Sequence, residues 1–160
     1  MVRIRKARLK DLDELVVLWE RFMNHQRELG RKNGRDMLPK MKEEACEIVR
    51  SYYSSNIWSR NGYLLVLEDG SSVRGYMLSR IVKNIPVFEN EQVGYVSDIY
   101  LEPPYRGKGH STTMFHLTMD WFRKKGITEV SLKVFDYNPK ARRVYEKWGF
   151  NEAFIEMRLE

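Results

Sequence analysis

Tyr105-Arg106-Gly107-Lys108-Gly109-His110-Ser111 sets two glycines and two cations at the junction between a strand pattern and a helix pattern. Ahead of it, residues 93–101 read as a strand that stops at Glu102-Pro103-Pro104, because proline cannot donate to a sheet ladder. Behind it, Met114, Phe115, Thr118 and Phe122 recur at spacings of three and four, the apolar stripe of a helix with one buried face. The first amides of such a helix have no intrahelical partner and carry partial positive charge, and glycines remove the Cβ atoms that keep an anion away from the backbone. Arg106 and Lys108 add whole charges. The stretch is therefore expected to hold phosphates.

A lone G-x-G is a weak signal, so the neighbours decide which phosphate loop this is. A Walker loop is excluded, because Gly109 rather than Ser or Thr follows Gly107-Lys108 and no glycine stands five residues upstream of Gly107. A dinucleotide fold places its glycine turn after the first strand and lacks a Pro-Pro-Tyr-Arg entry. The stretch resembles the acetyl-CoA pyrophosphate loop of the GCN5-related N-acetyltransferases, Arg/Gln-x-x-Gly-x-Gly/Ala, in Arg106-Gly107-Lys108-Gly109-His110-Ser111. Only the last position departs: Ser111 stands where that family has Gly or Ala, with a hydroxyl able to bond a phosphate, and His110 stands where an aliphatic residue is usual.

The elements around the loop extend the resemblance. Residues 2–7 alternate as a half-exposed strand, and Asp11-Leu12-Asp13-Glu14 opens a helix with a capping residue and an acid three positions later. Leu12, Leu15, Val16, Trp19, Phe22 and Met23 form its expected buried stripe, and Gly30, Gly34 and Pro39 then interrupt a basic stretch expected to be a loop. Helical spacing resumes over residues 41–53 through Ala45, Ile48, Val49 and Tyr52. Strands at 62–68 and 73–83 flank the hairpin turn Asp69-Gly70-Ser71-Ser72. Residues 129–135 alternate Val130, Leu132 and Val134 as a strand beside the one that carries the loop. Asn138-Pro139 starts a helix, Asn as cap and Pro at the first position, with Ala141, Val144, Tyr145 and Trp148 as its stripe and Gly149 as its close. Residues 150–159 are expected to finish as one bent strand or two short ones.

This order of elements gives an α/β fold, a mixed and largely antiparallel sheet flanked by helices, and it matches the acyl-CoA N-acyltransferase fold of the same family. The segment from Asn138 to Phe150 is similar to a second family marker, N-x-x-A-x-x-x-Y-x-x-x-G-F. Residues 1–160 are accordingly expected to form one N-acetyltransferase domain.

Composition narrows the partners. At 160 residues the chain has room for one full core. A net charge of +6 attracts anions. No nucleic-acid module or aromatic-studded basic face accompanies that charge, so a polyanionic cofactor is preferred to nucleic acid as its reason. One cysteine, Cys46, excludes an internal disulfide, and His25, His110 and His116 lack any metal-binding spacing, so no metal is expected. With no signal-peptide pattern and no apolar run near the ~20 residues of a membrane span, a cytoplasmic protein is expected. A homodimer is left open.

Acetyl transfer from a thioester to an amine needs a neutral amine, donors for the developing oxyanion and a proton for the leaving thiolate. The resemblance implies that the backbone of Ile99, Tyr100 and Leu101 holds the pantetheine arm and polarises the carbonyl. It further implies that Arg106, Gly107, Lys108, Gly109, His110, Ser111, Thr112 and Asn138 bind acetyl-CoA and that Tyr145 protonates the departing sulfur. The resemblance implies Asp98 as the base, near the position from which acidic residues of related enzymes reach the acceptor amine, and strand alternation decides whether it or a neighbour such as Ser97 or Tyr100 faces the site. The acceptor would meet residues 28–40 and the terminal strands, where nothing names a substrate. Arg31, Lys32 and Arg35 disfavour a polyamine unless Glu28, Asp36, Glu43 or Glu89 faces it. A protein amino terminus, a lysine side chain or a small amine is preferred. The rival reading is a non-catalytic acetyl-CoA-binding sensor module.

Overall fold

A computed structural model of the chain describes residues 1–159. Five strands form one sheet in the order β1 (Val2–Lys6), β2 (Gly62–Asp69), β3 (Ser72–Lys83), β4 (Gln92–Leu101) and β5 (Val130–Leu132). The first four pair antiparallel, and β5 joins β4 in parallel after a helical crossover. Helices α1 (Leu12–Lys32) and α2 (Ala45–Trp58) cover one face, and α3 (His110–Lys124) covers the other. The last helix, α4 (Pro139–Lys147), follows β5.

The run Leu64-Leu65-Val66-Leu67 in β2 is apolar throughout because both faces of the sheet are covered. Leu64 and Val66 meet Leu12, Leu15, Leu18 and Trp19 of α1, while Leu65 and Leu67 belong to the core of Met114, Phe115 and Phe122 from α3. All four residues expected on the α3 stripe are buried. On α2 the inward residues include Tyr53 and Asn56, whereas Ile48, placed inward by periodicity, is exposed.

Several boundaries differ from expectation, and the second helix extends to Trp58 rather than ending at 53. The first helix runs on to Lys32, through Gly30, and the second starts at Ala45 rather than 41. β5 stops at Leu132 instead of continuing to 135, and residues 150–159 form no strand. A ladder needs a neighbour, and β5 pairs only with Gly94, Tyr95 and Val96 before β4 turns away from it. Residues 150–159 have strand-like composition but no strand alongside, and Phe154 and Met157 stand 96% and 90% exposed. That segment is tied down by polar groups: Lys133 pairs with Glu156 at 3.3 Å, and Arg158 donates to the Met37 carbonyl at 2.9 Å.

The turn of β4 away from β5 coincides with a bulge. Asp98 pairs with Leu78 and Val96 with Ser79, so Ser97 is an extra residue on β4. Val96 therefore faces the α3 core, while Asp98 and Tyr100 face α1 and α2.

Candidate active site

The bulge sets the direction of the backbone amides. Gly94 donates its N–H across to the Glu129 carbonyl at 2.8 Å, on the β5 side, whereas Glu102 donates to the Arg74 carbonyl at 2.9 Å, on the β3 side. In an unbroken strand two even-numbered residues would point the same way; the residue inserted at Ser97 reverses them. Past the bulge, alternation turns the amides of Ile99 and Leu101 into the gap left by β5 and the Tyr100 amide toward β3. The Tyr100 ring is buried against Phe22, with centroids 6.0 Å apart.

At the end of the gap lies the glycine loop. Gly107 and Gly109 have φ of 71° and 81°, in the left-handed region that a side chain disfavours. Nothing lies within 4 Å of a Cβ at either, so the backbone is open on that side. Gly109 is the N-cap of α3 and supplies no side-chain cap, which leaves the amides of His110, Ser111 and Thr112 for an external acceptor. The loop is held from both ends. Tyr105 donates its hydroxyl to Asp69 at 2.9 Å, and Arg106 donates Nε to the Leu101 carbonyl at 2.7 Å, with its guanidinium 5.4 Å from the centre of the Tyr100 ring. Arg106 thus sits at the mouth of the gap. Lys108 is exposed. Glu102, where the strand pattern stops, is buried between Arg21 and Arg74.

The α4 helix docks on α3 through Trp148, whose ring stacks on Phe115 at 4.4 Å and whose Nε1 donates to the Thr112 hydroxyl at 3.1 Å. Thr112 is thereby engaged by Trp148. Asn138 caps α4, its side-chain oxygen accepting from the Ala141 amide at 3.2 Å, which leaves its NH2 group unused by the cap. Tyr145, half-buried beside Trp148 and Phe150, has its phenol pushed up to about 12 by burial.

Asp98 lies on the opposite face. The Tyr53 hydroxyl is 2.9 Å from its carboxylate and 3.0 Å from the Tyr76 hydroxyl, and both tyrosines are fully buried. Burial raises the Asp98 pKa, and the Tyr53 hydrogen bond and the charge of Arg80 work the other way. The residue is half-buried. Tyr53 lies within the expected helix of residues 41–53 but off its expected stripe, which ran through Ala45, Ile48, Val49 and Tyr52. His25, considered in the sequence only as a metal ligand, is half-buried on α1, where burial first and the charge of Arg106 second lower its pKa. Among the described residues no group of three or more His, Cys, Asp or Glu side chains could hold a metal ion.

The family described as "Acetyltransferase (GNAT) family" matches residues 31–150. The chain belongs to the GNAT family. Among its relatives, a thialysine N-epsilon-acetyltransferase of Mus musculus is 31% identical over 98 residues, covering 58% of this chain and 56% of its own. An L-ornithine N5-acetyltransferase of Arabidopsis thaliana is 33% identical over 87 residues, 54% of this chain and 37% of its own. An uncharacterized N-acetyltransferase of Bacillus subtilis (strain 168) is 37% identical over 67 residues, 42% and 43% of the two chains. The aligned stretches thus span about half or less of these relatives.

Solved structures share the GNAT fold over more of the length. A predicted acetyltransferase from Clostridium acetobutylicum, crystallised with acetyl-CoA, superposes with a TM-score of 0.80 at 20% identity, covering 100% of this chain and 96% of that one. An aminoglycoside N-acetyltransferase in complex with CoA gives 0.75 at 14% identity, with 100% and 94% covered. At such identities the likeness concerns the fold alone. No helix among the described residues is long and apolar enough to cross a membrane.

Proposed function

We propose that the chain transfers the acetyl group of acetyl-CoA to a primary amine of a small acceptor, by direct attack of the amine on the thioester. The observation that carries this is the reversal at Ser97, which aims the Ile99 and Leu101 amides into the β4–β5 gap beside the open N-terminus of α3. Both a thioester carbonyl and a pyrophosphate find backbone donors there. The relatives' names point the same way, since thialysine, ornithine and aminoglycosides all carry primary amines.

In this reading the phosphates of acetyl-CoA lie on the amides from Gly107 to Thr112, with Lys108 and Arg106 supplying charge and the Asn138 NH2 a further donor. The pantetheine arm runs along β4 past Tyr100 and bonds the Leu101 amide. The Ile99 amide faces the thioester oxygen, and its N–H stabilises the negative charge that grows there as the amine attacks. Asp98 approaches from the α2 face and takes the proton that the amine must lose. Tyr145 approaches from the α4 side and gives its phenolic proton to the thiolate as the C–S bond breaks. Base and acid stand on opposite faces of the sheet, so the two proton transfers do not compete.

Thiol release from acetyl-CoA, measured against a panel of amino acids, aminoglycosides, polyamines, lysine peptides and amino-terminal peptides, tests the reading. Turnover with a small primary amine is expected. Silence across the panel by a protein that still binds CoA favours the sensor module.

A further inference from the structure

Arg80 of β3 stands opposite Tyr95 of β4, on the sheet face that also bears Asp98. Its Nε donates to the Ser97 hydroxyl at 3.1 Å, and its guanidinium carbon lies 5.5 Å from the centre of the Tyr52 ring and 5.7 Å from that of Tyr95. The group is thus clamped between two aromatic rings and fixed by the bulge residue. Its outer fork bonds nothing among the described residues. Most arginines of this chain pair with a carboxylate; of the described ones that do not, Arg80 alone is half-buried rather than exposed.

A partly desolvated guanidinium without an anion is costly, and its planar fork matches a carboxylate through two parallel hydrogen bonds. Asp98 does not fill that need: the two make no ion pair, although the cation is near enough to act on the Asp98 charge. Lys133, on the same side, pairs with Glu156 at 3.3 Å, and Glu156 also pairs with Arg158 at 2.7 Å. Arg80 and Asp98 are a fixed cation and a fixed anion on the acceptor side of the gap, both placed by the bulge.

Resting on the proposed acetyl transfer, we infer that the acceptor is a free amino acid, its carboxylate bound by the Arg80 fork and its amine presented at Asp98. A polyamine would bring a second cation against Arg80, and a lysine within a protein or a protein's amino-terminal residue has its own carboxyl tied up in a peptide bond.

The test pairs glycine, β-alanine and L-lysine each with its carboxamide, in the acetyl-CoA-saturated enzyme. At least one free acid is expected to exceed its amide by about tenfold or more in kcat/KM. Assayed at a pH above the acidic limb, Arg80→Gln raises KM for the acid by about tenfold and changes that for the amide far less, so the preference disappears. Arg80→Lys, which keeps charge and loses the fork, restores part of it. Equal use of acids and amides by the native enzyme overturns the inference, as does a parallel loss on both in a folded Arg80→Gln protein, the result of a purely structural role. Calorimetric titration of the same compounds into the CoA-bound protein separates this from the reading beneath it. Arg80-dependent binding of a free acid without transfer supports the carboxylate site and removes the acetyl transfer. Transfer to amides and polyamines without preference keeps the transfer and removes the site. No binding of any free acid overturns the inference.

Discussion

In the proposed mechanism Asp98 and Tyr145 perform opposite proton transfers, and burial shifts both in the same direction. For the tyrosine, a phenol pushed up to about 12 stays protonated through the physiological range and remains a ready donor to a thiolate. Tyr145→Phe removes one oxygen and keeps the contacts with Trp148 and Phe150, so melting is expected to change little while turnover falls about ten- to a thousandfold. Full turnover in that variant, with chemistry the slow step, would remove Tyr145 from the mechanism. For the aspartate the sign follows from its proposed role as a base. A raised pKa means that the carboxylate is protonated, and inactive, up to a higher pH than an ordinary Asp near 3.9. The acidic limb of kcat/KM should lie above that value, and Asp98→Asn should lower the plateau and abolish the limb. Tyr53→Phe deletes the hydroxyl 2.9 Å from the carboxylate and keeps it buried, so the limb should move to still higher pH. A limb unmoved by either substitution would return Asp98 to a structural role.

Among the elements, the join of β4 to α3 carries the glycine loop and the join of β4 to β5 carries the gap. Gly109 caps α3 at a φ of 81°, with its open side toward the expected pyrophosphate. Gly109→Asp places a carboxylate there and should weaken CoA binding at least tenfold, ~1.4 kcal/mol, by calorimetric titration. An unchanged affinity in the folded variant would show that the phosphates bind elsewhere. The other end of β4 depends on close packing. A Cβ on Gly94 would stand 2.8 Å from two atoms of the Phe122 ring, whose side chain is buried under α3. Gly94→Ala is therefore expected to lower stability by ~1–3 kcal/mol in denaturant unfolding, the usual scale for overpacking a core. A wild-type midpoint would mean that Phe122 has room to move.

For the whole molecule, the sheet divides the labour: the α1–α2 face bears Asp98 and Arg80, and the α3–α4 side bears the glycine loop and Tyr145. With a net charge of +6 and exposed Lys108 and Arg106 at the loop, CoA affinity should fall as salt is raised from low to near-molar concentration. Affinity indifferent to salt would assign the binding to uncharged contacts alone. What the sequence by itself determined was local: the glycine loop, the Asn138 cap, the Asp69–Ser72 turn and the α3 stripe each act within a few residues through φ preference, capping or period. The order of elements followed from them. The tertiary structure decided where chain segments distant in sequence meet. The bulge at Ser97 exists only in the register of β4 against β3, and it alone turns the Ile99 and Leu101 amides outward and Asp98 toward Tyr53. The short β5 and the unpaired residues 150–159 depend likewise on a neighbouring strand, because a hydrogen-bond ladder is a property of two strands and no single stretch of sequence contains both.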